Sequence, residues 1–508
     1  MTVLQTGSRW RADVAARVAA GSRFAGLYGT TVADGCRLTA ILAVPAGFEL
    51  VPFTARAEDG LRYPALTPLV PSAFWWERAA ADLSGVVPVG HPRPDPLLLH
   101  IGDGSPRPQP GRSRTEDGGP TLQQSTPPGP IDVVGRGLFT IAYGPVRSGV
   151  AETIEYLVET PGEDIPRVNI RPHFKHRGVA KAFEGRTLDD AALVAERVEG
   201  IATIAHATAY AHAVEALTGI RPPRRAALVR VVLAELERIA NHLDVAMRLS
   251  DAAGLAVATS RFGWHKETVM RLMGRTTGSR FGRGAVVPGG VSSRVGLVSG
   301  PSRSPGSLAP AELAAEARRL RERLRGDERT AMRTPSFLDR LRGTGRLDPD
   351  HAQQWGAVGP IGRASGVDDD NRWSRPTDAY AELTAGLHPA LTTEADTLAR
   401  LRVRWSEVEG SFVLVGRACS VLEALPEEPL QTPVPRSASG TAVGWAEGPQ
   451  GEVIYVLEAE RGRVARCFAR TPSLHDLVLF HDVFHGEVLT DFAFIEAGFG
   501  LSAAGVAM

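Results

Sequence analysis

Apolar and polar positions alternate through residues 22–70, in RFAGLYGTTV, CRLTAILAVP and FELVPFTARA, with Gly, Asp and Pro between them. A period of two with turn residues at the breaks predicts strands. The stretch SAFWWERAAADLSG at 72–85 changes to a helical period, so residues 1–101 form a small α/β domain. After 130 the pattern predicts strands near 137–144 and 152–160, then a mostly helical region. Thr187 with Asp190 gives a helix start, and Gly219 before Pro222 and Pro223 gives a stop, with an Ala-rich helix between them. Further helices are predicted at 224–250, 258–278, 309–327 and 378–424, the last with a break near Gly410. The tail returns to strands in TAVGWAEG, GEVIYVLEAE and RVARCFART, and HGEVLTDFAFI reads as core strand. The fold class is α+β.

Composition sharpens the boundaries. Residues 102–130 are dense in Pro, Gly and Ser and poor in large apolar residues, which predicts a linker between the N-terminal domain and a second domain spanning 131–508. Over the chain, 43% of residues are hydrophobic and 22% charged, as in folded globular proteins. Lys plus Arg equals Asp plus Glu, 57 each, so charge gives no case for nucleic acid as a partner. The three cysteines, Cys36, Cys419 and Cys467, share no ligand spacing and support neither a disulfide framework nor a thiolate cage. The N-terminus lacks the apolar core of a signal peptide, and no stretch is long enough to span a bilayer, so a cytoplasmic chain is expected.

Several stretches carry a resemblance. FWWERAAADLSGVVPVGHPRPD (74–95) resembles the 30-kilodalton subunit of respiratory complex I through Glu77, Arg78, Asp82, Gly85, Gly90, His91 and Pro92. GPVRSG, HFKHRGVAK, ERVEGIATIAHATAYAHAVEALTGI, LVRVVLAELERIANHL, RFGRGAVVPGGV, GPIGRASGVDDDNR and GEVIYVLEAERGRVARCFARTPS follow in the family order of two related subunits. These are the complex I 49-kilodalton subunit and the large subunit of membrane-bound NiFe hydrogenases of the formate hydrogenlyase type. The resemblance implies a helical-bundle large domain with peripheral antiparallel strands, fused behind a 30-kilodalton-like domain.

In that family four thiolates from R-x-C-G-x-C and D-P-C-x-x-C hold nickel and iron, soft metals that need deprotonated sulfur. Here Arg197 is kept, but the four ligand positions are Glu199, Ala202, Ser502 and Gly505, so no NiFe centre is expected. The quinone-reducing branch offers a Tyr and a His to the quinone head group; those positions are Gly200 and Ala151. What remains for proton chemistry is Glu199, with His206 two helical turns beyond it. The bland readings are an ion pair between Glu199 and Arg197 or a neighbouring arginine, and a satisfied core histidine at 206. His176 and Arg177 match the family's H-R-G and are read as holding a strand-to-helix turn, while the acid that follows in the family is Ala180. Arg363, Asp368, Asp370 and Arg372 read as buried Arg–Asp pairing near the cavity. Arg238 and His242, four apart, read as a polar stripe at a subunit interface.

The resemblance implies a subunit of a membrane-associated oxidoreductase of the NADH-quinone oxidoreductase or hydrogenase-4 type, on the cytoplasmic face of the membrane. Its partners would be a small iron–sulfur protein, which holds the clusters, and antiporter-like membrane subunits. The chain itself would bind no cofactor, with a quinone as the one candidate. The alternative is a catalytically silent subunit that couples partner proteins.

Overall fold

The computed structural model describes residues 3–99, 137–147, 154–297 and 308–508, with side chains from residue 6. The Pro/Gly/Ser-rich stretch 102–130 and Ala151 lie outside the described residues. The N-terminal part opens with a helix that the strand pattern did not announce, α1 (Val3–Ala19). Strands β1 (Arg23–Val32), β2 (Gly35–Val44) and β3 (Gly47–Arg56) follow as an antiparallel meander in the order β1-β2-β3. Helix α2 (Phe74–Ser84) packs on β1. Its Glu77 carboxylate accepts the amides of Leu66 at 2.7 Å and Thr67 at 2.9 Å, and Asp82 accepts those of Leu97 and Leu98 at 2.7 Å. The matching acids of this motif therefore organise loops.

Successive residues of a strand face opposite ways, and β2 buries both faces. Leu38, Ala40 and Leu42 join the core that contains α2, whereas Ile41 and Ala43 meet Ile454 and Val456 of the C-terminal sheet. That sheet is β7 (Gly440–Gly448), β8 (Gly451–Glu460) and β9 (Arg463–Arg470), again an antiparallel meander. The Tyr28 ring stacks on Phe468 with centroids 4.7 Å apart, and Arg23 pairs with Glu452 at 2.6 Å. The N-terminal sheet thus covers one side of the C-terminal one.

Between them in the chain come β4 (Phe139–Tyr143), β5 (Glu155–Thr160) and a third strand absent from the sequence reading, β6 (Arg167–Arg171). The long helices are α5 (Arg224–Ala252), α6 (Ala256–Thr277), α7 (Pro310–Ala331) and α8 (Thr397–Ala424), packed around one apolar core. The helix expected over 378–424 is shorter. Gly386 at φ 72° and the following Pro389 keep the chain irregular until Asp396, whose carboxylate caps the Ala399 amide at 2.7 Å. Gly410 does not break α8. The segment HGEVLTDFAFI is not strand either. It passes through a tight turn into helix α9 (Phe492–Phe499), whose Phe492, Ile495 and Phe499 recur at helical spacing and are buried.

The region 187–219, read as one helix, is two: α3 (Leu188–Ala195) and α4 (Thr203–Thr218), joined by an irregular turn at 196–202. Its cause is tertiary. Glu237 of α5 accepts the amides of Ile204 at 2.7 Å and Ala205 at 3.0 Å, which starts a new helix there, while Arg177 takes the Val198 carbonyl at 2.7 Å out of any helical ladder. The Ala-rich face of α4 lies directly under the C-terminal sheet. A Cβ added at Gly444 would stand 2.1 Å from the Ala213 nitrogen and 2.3 Å from the Ala209 carbonyl oxygen, so only glycine admits this approach.

Candidate functional site

Three segments converge at the 196–202 turn: the loop carrying His176 and Arg177, the turn itself, and the chain end 502–508. Arg177 holds them together. Its guanidinium donates to the carbonyls of Val198 at 2.7 Å and Ala507 at 3.2 Å, and also to that of Ala504. Burial lowers its pKa and Glu199 acts to raise it. His176 lies beside it with Nδ1 buried and without a hydrogen-bond partner. Ser502 starts the last helical turn by accepting the Gly505 amide at 3.4 Å, and Thr471 donates to the Gly505 carbonyl at 2.7 Å.

The 196–202 turn and the chain end meet at Glu199 and Gly505. A Cβ on Gly505 would stand 1.9 Å from Glu199 Oε1 and 2.6 Å from its carboxyl carbon, so the Glu199 carboxylate occupies the space that a side chain at 505 would need. Gly505→Ala is therefore expected to cost about 1–3 kcal/mol through overpacking. Chemical denaturation of the single variants and the Glu199→Ala/Gly505→Ala double variant checks this, because most of the cost disappears once the carboxylate is gone.

Glu199 is fully buried, and neither oxygen has a hydrogen-bond partner. Arg197 is not its counter-ion, since that guanidinium is taken by Glu196 and the Leu193 carbonyl. His206 Nε2 lies 3.6 Å from Glu199 Oε1. That is beyond a direct hydrogen bond and within reach of one bridging water. Because the helix is broken between them, the pair is brought together by the turn and not by helical spacing. His206 Nδ1 is bonded to Tyr455 Oη at 2.8 Å, whose phenol burial pushes well above its usual pKa. Thr203 Oγ1, at the start of α4, is also buried without a partner. Sequence reasoning missed Tyr455 and Glu237. Both lie in quoted motifs, but only the sheet and the α5 packing bring them here.

Ala202 is buried at the turn and Ser502 at the tail. Carboxylate, methyl, hydroxyl and hydrogen, the groups that Glu199, Ala202, Ser502 and Gly505 offer, do not fit a soft bimetallic centre. The thiols of Cys36, Cys419 and Cys467 are each buried, on β2, α8 and β9. Gly200 lines a cavity of about 340 Å³, walled by Ile201, Met247, Met270 and Phe281 with Glu237 and Asn241 among its polar groups.

Behind the turn lies a buried charge network. Arg363 reaches Glu407 at 2.8 Å, Glu447 at 3.0 Å and Asp370 at 3.3 Å, while Arg372 reaches Asp370 at 2.8 Å and Glu235 at 3.2 Å. Asp368 is exposed and outside it; the neighbouring Asp369 pairs with Arg23 and Arg375 instead. Arg238 and His242 are no surface stripe. Both are fully buried against Glu407, at 3.4 and 2.8 Å, because their face of α5 is covered by α8 and the β7–β8 hairpin.

Comparison with known proteins agrees with this architecture. Residues 18–110 match the family described as respiratory-chain NADH dehydrogenase, 30 Kd subunit; residues 177–247 match nickel-dependent hydrogenase; and residues 256–439 match respiratory-chain NADH dehydrogenase, 49 Kd subunit. Formate hydrogenlyase subunit 5 of Escherichia coli K12 is 31% identical over 77% of this chain and 67% of its own length. NADH-quinone oxidoreductase subunit 4 of Thermus thermophilus is 30% identical over 71% of this chain and 91% of its own. In fold, the chain is similar to a subunit of the membrane-bound sulfane sulfur reductase, an archaeal respiratory membrane complex, with a TM-score of 0.67 and 23% identity over 75% of this chain and 100% of the other.

Proposed function

Because the chain belongs to the family of complex I 49-kilodalton subunits and membrane-bound hydrogenase large subunits, we propose that it is the peripheral large subunit of a membrane electron-transfer complex without a nickel–iron centre. Among the described residues no helix is long and apolar enough to cross a membrane, so attachment would come through partner subunits, on the cytoplasmic face. Electrons would enter from a small iron–sulfur subunit. The observation that carries the reading is the contact between Glu199 and Gly505: the family's two ligand segments still close on each other, and a buried acid with His206 stands where sulfur would be. A buried carboxylate with no donor is costly to maintain, which argues for retention through use. Its role here is to accept or release a proton as charge arrives nearby. The acceptor of the electrons is a quinone on this reading, met without the usual Tyr and His.

A second reading is a silent structural subunit. It is favoured by the same contact, since the carboxylate fills part of the space at position 505. Tagged protein isolated from membranes tests the main reading. Co-purification with an iron–sulfur subunit and integral membrane subunits is expected, with nickel well below one equivalent per chain. Isolation of the chain alone in the soluble fraction, or stoichiometric nickel, overturns it.

A further inference from the structure

Gly200 lines the cavity while the adjacent Glu199 is buried outside it, and Glu237 touches both surroundings. Its carboxylate lines the cavity and holds the Ile204 and Ala205 amides that follow the turn. Each carboxyl oxygen keeps a lone pair beyond the one given to the amide. Thr203 precedes Ile204 in the chain, and its hydroxyl is buried with no partner. Glu199 then offers two unpartnered oxygens, His206 an unpartnered Nε2, and Tyr455 closes the series at 2.8 Å from Nδ1.

We propose that this cavity is the proton inlet of the Glu199–His206 site, with Glu237 as the entry carboxyl and the Thr203 hydroxyl as the link behind it. A proton passes from cavity water to Glu237. Glu237 gives it up to Thr203 Oγ1 as that hydroxyl releases its own to Glu199, each transfer through a bridging water because Thr203 Oγ1 is hydrogen-bonded to neither carboxylate, and a further water carries it on to His206 Nε2. No electron moves in these steps, and each donor is restored by the next proton from the cavity.

The electrostatics agree. Burial pushes the Glu237 carboxyl up to about 8; its two amide donors and Arg238 on its own helix oppose this, while Glu199 adds to it. The other charged groups facing the cavity are paired with each other, Lys266 with Asp244 at 2.6 Å and Arg280 with Glu267. Glu237 is therefore the group there that changes charge near neutrality.

The proposal rests on the reading of Glu199 as proton-active, yet its test needs no turnover. Infrared spectra of the full chain against pH are expected to show a protonated-carboxyl band that is absent in Glu237→Gln and titrates near pH 8. Asp476, also pushed up to about 8 by burial, gives a band that stays in that variant. In Glu199→Gln the Glu237 midpoint moves down, because the neighbouring negative charge is gone. Ala240→Trp, at a half-buried position lining the cavity, slows hydrogen–deuterium exchange of the band several-fold and covers the case in which Glu237→Gln folds poorly. A Glu237 band that ignores Glu199→Gln, or exchanges at an unchanged rate in Ala240→Trp, overturns the inlet. An unchanged turnover rate in Glu199→Gln, by contrast, defeats the functional reading while leaving these spectra as they are.

Discussion

Glu199→Gln is expected to slow electron transfer through the assembled complex by roughly 10²- to 10⁴-fold, the usual worth of a positioned proton donor or acceptor. Glutamine keeps the length of the side chain and its fit against Gly505, so assembly and stability change little while the exchangeable proton is lost. Steady-state rates with an artificial one-electron donor and a short-chain quinone check this. The loss falls on kcat, because the change removes a proton carrier and leaves the shape of the site as it was. A variant complex of unchanged composition and unchanged rate makes the chain a structural subunit.

The second large effect is on stability. Removing the side chain in Glu407→Ala is expected to cost about 3–5 kcal/mol, because Arg363, Arg238 and His242 all lose a fully buried partner. Denaturant unfolding measures it. A double variant Glu407→Leu/Arg363→Met loses less than the sum of its single changes, since no orphaned charge is left. The same network sets the acid limit. Burial works against Glu407's charge, but Arg363 and His242 hold its carboxyl well below the ordinary range; His242 is pushed by burial from 6.5 down to about 4. Both groups bind protons more readily in the unfolded chain. Stability is present above pH 6.5 and falls as the pH drops through 4.

The family could be read without a structure, since residue identities at motif positions carry it. So could the α+β class, because period-two and period-3.6 patterns report local burial directly. Helices α5 and α6 were legible for the same reason, their apolar positions recurring at helical spacing over several turns. The short irregular pieces were not. The break at 196–202 depends on Glu237, over 30 residues away in sequence, capturing two amides.

By itself, then, the chain determined the α+β class and the family to which it belongs. The tertiary structure decided where the remaining polar groups go: Glu199 against Gly505 and His206 onto Tyr455. It also decided that Arg238, His242, Arg363 and Arg372 form one buried network while Asp368 stays in water. The physical reason is range. Apolar periodicity is written in neighbours three or four residues apart, whereas the partner of a buried charge is chosen by whichever element packs over it.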